Sequence, residues 1–518
     1  MDVQDFTLIP MLKSIFPLTF ASFFTRMTGF LRDYLLYRSF QAGQSLDLFF
    51  LAFRFPQLMR RFFAEGSFQQ ALLPVLGKAV KEQNEKDFQS LYQQAFWFLL
   101  LSTLGLSAII WSVGPYYVSK ALASGLNPQS QEIYWQLLCW SAPYAIALAV
   151  ISLYSLVLQL HHSYWLNGFS PTLMNLAILL AAYIYPAQVL PMIKAMFFIG
   201  FVQVLLQMWQ ARSIVPFSLR IGLPSWPHGS FLLTLRRFLE LSGLSIMILT
   251  NIWVDQMFLT YAPVGSISIY YLCERVVEIP VGVLGYSVWS VFSTYYVRFS
   301  HSRVARIQLE HKVILLIIYL IFPATAAVFC LAPEIVACFI DPLSQQQAFT
   351  QANFLLHLIS IEIVLIVISK IYVIMLTSMH RNKEILSIHA VGVCVNFVMD
   401  ALLYQYGAIG IGLSTVLTLC VQMMLFHKCN PFLNRLLRLP PNLIFQPIIT
   451  LCTLLLTMIG LRMFFIDYLP YHYMRIPLLA VGFGIPFSLY FIRMRPFFEY
   501  LNGRVTTLVE HDRQTSQA

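Results

Sequence analysis

Charge is scarce in this sequence: only 11% of its 518 residues are Asp, Glu, Lys or Arg, while 58% are hydrophobic. With a mean hydropathy of +0.70, that composition excludes an ordinary soluble core and points to an integral membrane protein. Paired cysteines are missing as well. Of Cys139, Cys273, Cys330, Cys338, Cys394, Cys420, Cys429 and Cys452, all but Cys429 lie in apolar runs, and none forms a C-x-x-C pair. A disulfide framework or zinc site is therefore not expected; buried, inert thiols are. The chain has no P-loop, no Ser nucleophile elbow and no catalytic constellation, so no ATP hydrolysis, cofactor or metal is expected. Five of its eleven histidines (His161, His162, His301, His311, His380) cluster in or beside loops. No Lys/Arg tract alternates with aromatics in a soluble segment, which argues against nucleic acid. The formal charge of +10 is instead what cytoplasmic loops of a membrane protein contribute. The N-terminal residues start acidic, lack a small-residue cleavage site and read as leading into the first helix.

Apolar windows of about 20 residues recur throughout. They predict about fourteen spans: 10–38, 46–72, 88–113, 132–159, 166–186, 190–211, 236–262, 266–296, 311–332, 348–377, 384–404, 409–427, 443–466 and 473–494. Pro17, Pro56, Pro143 and Pro280 are candidate kinks. Loops after the even-numbered spans carry the basic residues, among them Lys78, Lys81, Lys86, Arg212, Arg220, Arg303, Arg306, Arg381 and Lys383; the loop after span 4 is the exception, with only His161 and His162. The alternate loops offer little beyond Lys120, Lys194 and Arg475. That alternation places both termini in the cytoplasm. A faint repeat, Asn175 with Gln203 against Asn396 with Gln422, suggests two related six-helix lobes around a central cavity, a frequent transporter plan. The expected organisation is a lobe over 1–212, a second over 213–430, two added helices over 431–496 and a polar tail over 497–518.

The charges that do occur are concentrated where the chain is otherwise apolar. Within 23–74 lie Arg26, Arg32, Asp33, Arg38, Asp47, Arg54, Arg60, Arg61 and Glu65. A charge at the bilayer centre costs about 3 kcal/mol even on the mildest insertion scale. So many in two adjacent helices must face one another, a protein interior or water. Arg26 and Arg32 lie six residues apart, within ~120° on a helix, and are expected to line a cavity. Arg38, Arg54 and Arg61 fit equally well as helix-end residues snorkelling to the headgroups.

A second concentration runs from Tyr270 to Gly285. Glu274 and Glu278 share a helix face, and Arg275 stands three residues before Glu278. Arg275 either forms a local pair that locks the helix or points into the same cavity as Arg26 and Arg32, with the carboxylates tuning it. Pro280, Gly282 and Gly285 loosen the helix just beyond. Asp255 in span 7 is a structural partner or a possible ion site. Glu362, Lys370 and Asp400 read as structural pairs, Asn175 and Asn396 as helix–helix hydrogen bonds. Guanidinium groups lining a wet cavity suit phosphate or pyrophosphate, because arginine stays charged and offers paired donors.

Several segments carry a family resemblance. Thr25-Arg26-Met27-Thr28-Gly29-Phe30-Leu31-Arg32-Asp33 resembles S-R-x-x-G-x-x-R-D. Ala42-Gly43 with Asp47 through Pro56 resembles G-x-x-x-D-A-F-x-x-A-F-x-x-P, and Arg60 through Phe68 resembles R-R-x-F-A-E-G-A-F. Tyr270 through Gly285 resembles Y-Y-A-D-R-x-x-E-x-P-x-G-V-L-G, and Pro171 through Asn175 matches a further shared piece. Together these resemble the MurJ/MviN family, lipid II flippases of bacterial cell-wall synthesis. Glu274 stands where the family has Asp, Leu48 where it has Ala, and span 10 lacks its proline pattern.

The resemblance implies an all-α polytopic fold of the multidrug/oligosaccharidyl-lipid/polysaccharide exporter superfamily, in the bacterial cytoplasmic (inner) membrane. It implies a transporter, not an enzyme: lipid II, an undecaprenyl-pyrophosphate-linked disaccharide-pentapeptide, would pass from inner to outer leaflet by alternating access. The family's important arginines carry over to Arg26, Arg32, Arg60 and Arg275 as substrate-binding, and its acids to Asp47 and Glu278. With Asp33, Glu65 and Glu274, these acids make up the cavity or gating set. Spans 13 and 14 take the place of a lipid-tail groove. Membrane lipids and cell-wall synthesis proteins are the other expected partners. Two other readings use the same residues differently. A cation-coupled small-molecule or drug antiporter would depend on acids such as Asp255, and a membrane scaffold would transport nothing.

Overall fold

In the computed structural model, residues 8–63, 67–113, 123–161, 163, 165–214, 229–298, 303–434 and 460 are described. They are helical, and among them there is no strand. The helices are α1 (Leu8–Phe40), α2 (Gln44–Phe63), α3 (Ser67–Lys81), α4 (Glu85–Val113), α5 (Pro128–Ser141), α6 (Tyr144–Leu160), α7 (Trp165–Ile184), α8 (Leu190–Gln210) and α9 (Gly229–Leu259). They continue with α10 (Ser266–Pro280), α11 (Tyr286–Arg298), α12 (Arg303–Leu316), α13 (Phe322–Cys330), α14 (Ala332–Phe339), α15 (Gln346–Ile359), α16 (Glu362–Ser378), α17 (Asn382–Leu403) and α18 (Ala408–Cys429). Nine segments of the described residues are long and apolar enough to cross a membrane, and they coincide with expected spans 3–7 and 9–12. Expected spans 1, 2 and 8, which hold the concentrated charge, are helical too, as α1, α2 and α10–α11. The chain is thus an all-α, multi-pass membrane protein. Apart from Gly460, spans 13 and 14 and the tail lie outside the described residues.

The first compact unit is Met1–Ser268. Here α1 packs along α7, α2 against α5 and α6, α6 against α4 and α8, and α9 on α3. Asn127 accepts from the Ser130 backbone N–H at 2.8 Å, and Pro128 fills the first turn of α5, the usual start of a helix. Pro143 separates α5 from α6 within expected span 4. Expected span 2, 46–72, is described as α2 up to Phe63 and as α3 from Ser67, and residues 64–66 lie outside the described residues. Alpha-3 belongs to an apolar cluster with α4, α6 and α9, in which Phe68, Phe98, Phe231 and Phe238 pack edge-to-face and stacked. Edge-to-face rings contribute about 1 kcal/mol beyond their buried area.

The second unit is Ile269–Ala518. Alpha-17 and α18 form its closest pair, with α15 and α16 packed on α18. Pro280 is followed by a π-helical turn over Val281–Gly285, where the sequence predicts a loosened helix, and a second π turn, Ile317–Ile321, joins α12 to α13. The two π turns touch each other, and both touch α16. The packing boundary lies inside α10, between Ser268 and Ile269. The sequence echo divides the chain at 212/213; the first division describes packing, the second a repeat.

Candidate functional site

Arg26 and Arg32 are both on α1, and their surroundings differ. Arg26 is exposed, whereas Arg32 is 2% exposed. The Arg32 guanidinium donates from Nε (2.9 Å) and Nη2 (2.6 Å) to Asp33 Oδ1 and from Nη1 to Asn175 Oδ1 on α7 (3.1 Å). Its Cζ lies 4.6 Å from the centre of the Phe53 ring on α2. Carboxylate, amide and aromatic face together answer a charge that hydrocarbon would not tolerate. Arg60 is half-buried in the last turn of α2 beside Arg61. Arg38, in the last turn of α1, is exposed and lies over the Tyr34 ring. Arg54 corrects the snorkelling alternative: it sits mid-helix, is 5% exposed, and lines a small cleft with Tyr134, Trp253 and Gln256.

Asp47 is 5% exposed near the start of α2. Its carboxylate accepts from the backbone N–H of Gly265 at 2.6 Å and of Ser268 at 2.7 Å. These are amides at the first turn of α10, which no intrahelical carbonyl can satisfy. Asp47 therefore caps α10 from another helix, with its negative charge at the positive end of the helix dipole. The Tyr37 hydroxyl donates to Ser268 O at 2.5 Å in the same place. Gly265 has φ +93°, and a Cβ there would stand 3.3 Å from Ala42 O, so the turn into α10 calls for glycine.

A polar seam continues through the unit. Asn175 Nδ2 donates to Thr25 O and Thr28 Oγ1, both at 3.3 Å, and Thr25 Oγ1 donates to Gly168 O at 2.7 Å. Gln203 on α8 donates to Ser170 O at 2.7 Å and accepts from the Tyr144 hydroxyl at 3.0 Å. Asp255 on α9 is 6% exposed. Glu65 lies outside the described residues.

In the second unit, Arg275 Nη1 donates to Glu278 Oε2 at 3.0 Å, with both side chains about one-third exposed, and Glu274 is half-buried. Asn396 Nδ2 donates to Asp400 Oδ2 at 3.2 Å, and Asn396 Oδ1 accepts from Thr418 Oγ1 at 3.2 Å. Among the described residues, no three His, Cys, Asp or Glu side chains group as metal ligands would.

A model of the family described as lipid II flippase MurJ matches residues 37–481. The chain belongs to the MurJ lipid II flippase family. It is 28% identical over 301 residues to a probable lipid II flippase MurJ of Buchnera aphidicola, covering 55% of this chain and 56% of that one. It is 24% identical over 441 residues to a probable lipid II flippase MurJ of Vibrio cholerae, covering 81% and 82%. Against the first three relatives matched, the chain spans a little over half of their length, 53–59%. A solved structure of lipid II flippase MurJ in an inward closed conformation superposes with TM-score 0.75 over 93% of this chain and 99% of that one. At 16% identity that likeness speaks for the fold. The family matched by sequence is one of flippases, which are transporters rather than enzymes.

Asn175, read from the sequence as a helix–helix hydrogen bond, makes such bonds to α1; Phe53 and the Asp47 cap are the contributions that sequence reading missed. Phe53 gave no signal, since its partner comes from another helix. The cap had one: Gly265-Ser266 is a helix-start pattern awaiting a buried acceptor.

Proposed function

We propose that the protein flips lipid II from the inner to the outer leaflet of the bacterial cytoplasmic membrane by alternating access. The family match over residues 37–481 carries this reading. Arg26, Arg32, Arg60 and Arg275 converge on a hydrated chamber and bind the pyrophosphate, while the undecaprenyl chain stays in lipid. Guanidinium forks supply paired donors to phosphate oxygens without ever losing charge. Asp33, Glu65, Glu274 and Glu278 balance that charge, and Asp47 gates access by holding the start of α10. The segment over 431–496 shapes the lipid-tail groove, and both termini face the cytoplasm. Cell-wall synthesis proteins are the partners that would deliver and consume the lipid.

Complementation of a strain depleted of its lipid II flippase tests the reading. The wild-type gene should restore growth, and Arg26→Ala, Arg32→Ala and Arg275→Ala should each fail to, with the protein still present in the membrane. Full growth with all three variants would remove the arginine chamber. A second reading, a cation-coupled small-molecule antiporter, draws on the burial of Asp255 at 6% exposure, where a possible ion site would lie. In that case Asp255→Asn, and not the arginine variants, would abolish function, and deletion would impair drug efflux instead of wall synthesis.

A further inference from the structure

Asn175 is 4% exposed and sits 143 residues from Arg32 in sequence. The direction of its amide follows from its neighbours. Thr25 O is a backbone carbonyl and can only accept, so the amide nitrogen faces it at 3.3 Å. The Arg32 guanidinium can only donate, so Oδ1 faces Nη1 at 3.1 Å. Thr28 Oγ1 takes a second contact from the same nitrogen. Asp33 already balances the charge of Arg32 through a 2.6 Å ion pair with both side chains nearly inaccessible.

We propose that Asn175 is a positioning residue for Arg32: a neutral acceptor that orients the guanidinium without adding a second negative charge where a pyrophosphate must come. The inference rests on the pyrophosphate-binding role given to Arg32 above. A carboxylate at this position would have nearly the same shape and would still accept from Nη1, but it would lose the donor to Thr25 O. It would also leave the cluster at a net charge of −1, holding the arginine from two sides and repelling the ligand. An apolar residue would leave Nη1 without the acceptor that orients it.

The test uses the full chain in nanodiscs and a polyprenyl pyrophosphate as probe, with binding and thermal unfolding measured on each variant. Asn175→Asp should weaken binding by about tenfold or more, the scale of a like charge set beside a ligand. The charge swap Asp33→Asn/Asn175→Asp, which returns one carboxylate and one amide to the guanidinium but not the donor to Thr25 O, should regain part of that loss. Thr28→Val, which removes one contact orienting Asn175 at nearly constant volume, should weaken binding by about threefold, as loss of one modest hydrogen bond would. It keeps the test valid if the aspartate variants do not fold. The inference is overturned if Asn175→Asp or Thr28→Val binds like the wild type, if the charge swap regains nothing, or if binding merely tracks unfolding temperature across the set. Arg32→Ala separates the two levels. If it leaves binding intact, the pyrophosphate role of Arg32 fails; if it weakens binding while the Asn175 variants do not, only the positioning role falls.

Discussion

A buried guanidinium sets the hardest local condition in this molecule, because its charge and its donors must be answered without bulk water. Arg32 is answered by Asp33, Asn175 and the Phe53 ring. Lysine keeps the charge but has no planar fork to meet two acceptors at once. Arg32→Lys should therefore retain the fold and lose most transport, read as flipping in proteoliposomes with unchanged expression. Tyr144 and Gln203 show the opposite balance. Polar contacts between membrane helices average only about 0.6 kcal/mol, so Tyr144→Phe should lower the unfolding temperature by no more than about 1 °C. Gly200, on the same face of α8, is the costly position: a Cβ there would lie 2.7 Å from the Tyr144 ring. Gly200→Leu should destabilise by several times more, measured by the same thermal unfolding. Sequence alone revealed that Arg32 could not face lipid, since the apolar run around it is plain. It could not reveal which partners answer the charge, because Asn175 and Phe53 come from other helices.

Two helices are joined to their surroundings by devices that carry a clear sign. At α10, the Asp47 cap and the positive φ of Gly265 act at one turn. Both Asp47 oxygens accept, one from each amide, whereas asparagine has a single acceptor oxygen and would turn a donor toward the other amide. Asp47→Asn should thus fall below wild-type stability and Asp47→Ala, which keeps no acceptor, at least as far; Gly265→Val should also fall below it, since it forces a branched side chain into the left-handed region. Thermal unfolding of the three variants checks the order. The π turn after Pro280 was legible as a loosened helix from Pro280, Gly282 and Gly285. Its partner at Ile317–Ile321 has no glycine and was not legible.

For the whole molecule, nine membrane-length segments among the described residues fall where apolar windows predict them. The proposed meeting of arginines from distant helices needs the third dimension. It is tested most directly by accessibility. Arg26→Cys, Arg60→Cys and Arg275→Cys, each made in a chain relieved of its eight native cysteines, would be labelled with a membrane-impermeant thiol reagent, with and without a polyprenyl pyrophosphate. A shared pyrophosphate chamber predicts that all three positions label from water and that the lipid protects all three together. Labelling that the lipid leaves unchanged, or positions that the reagent never reaches, would contradict it.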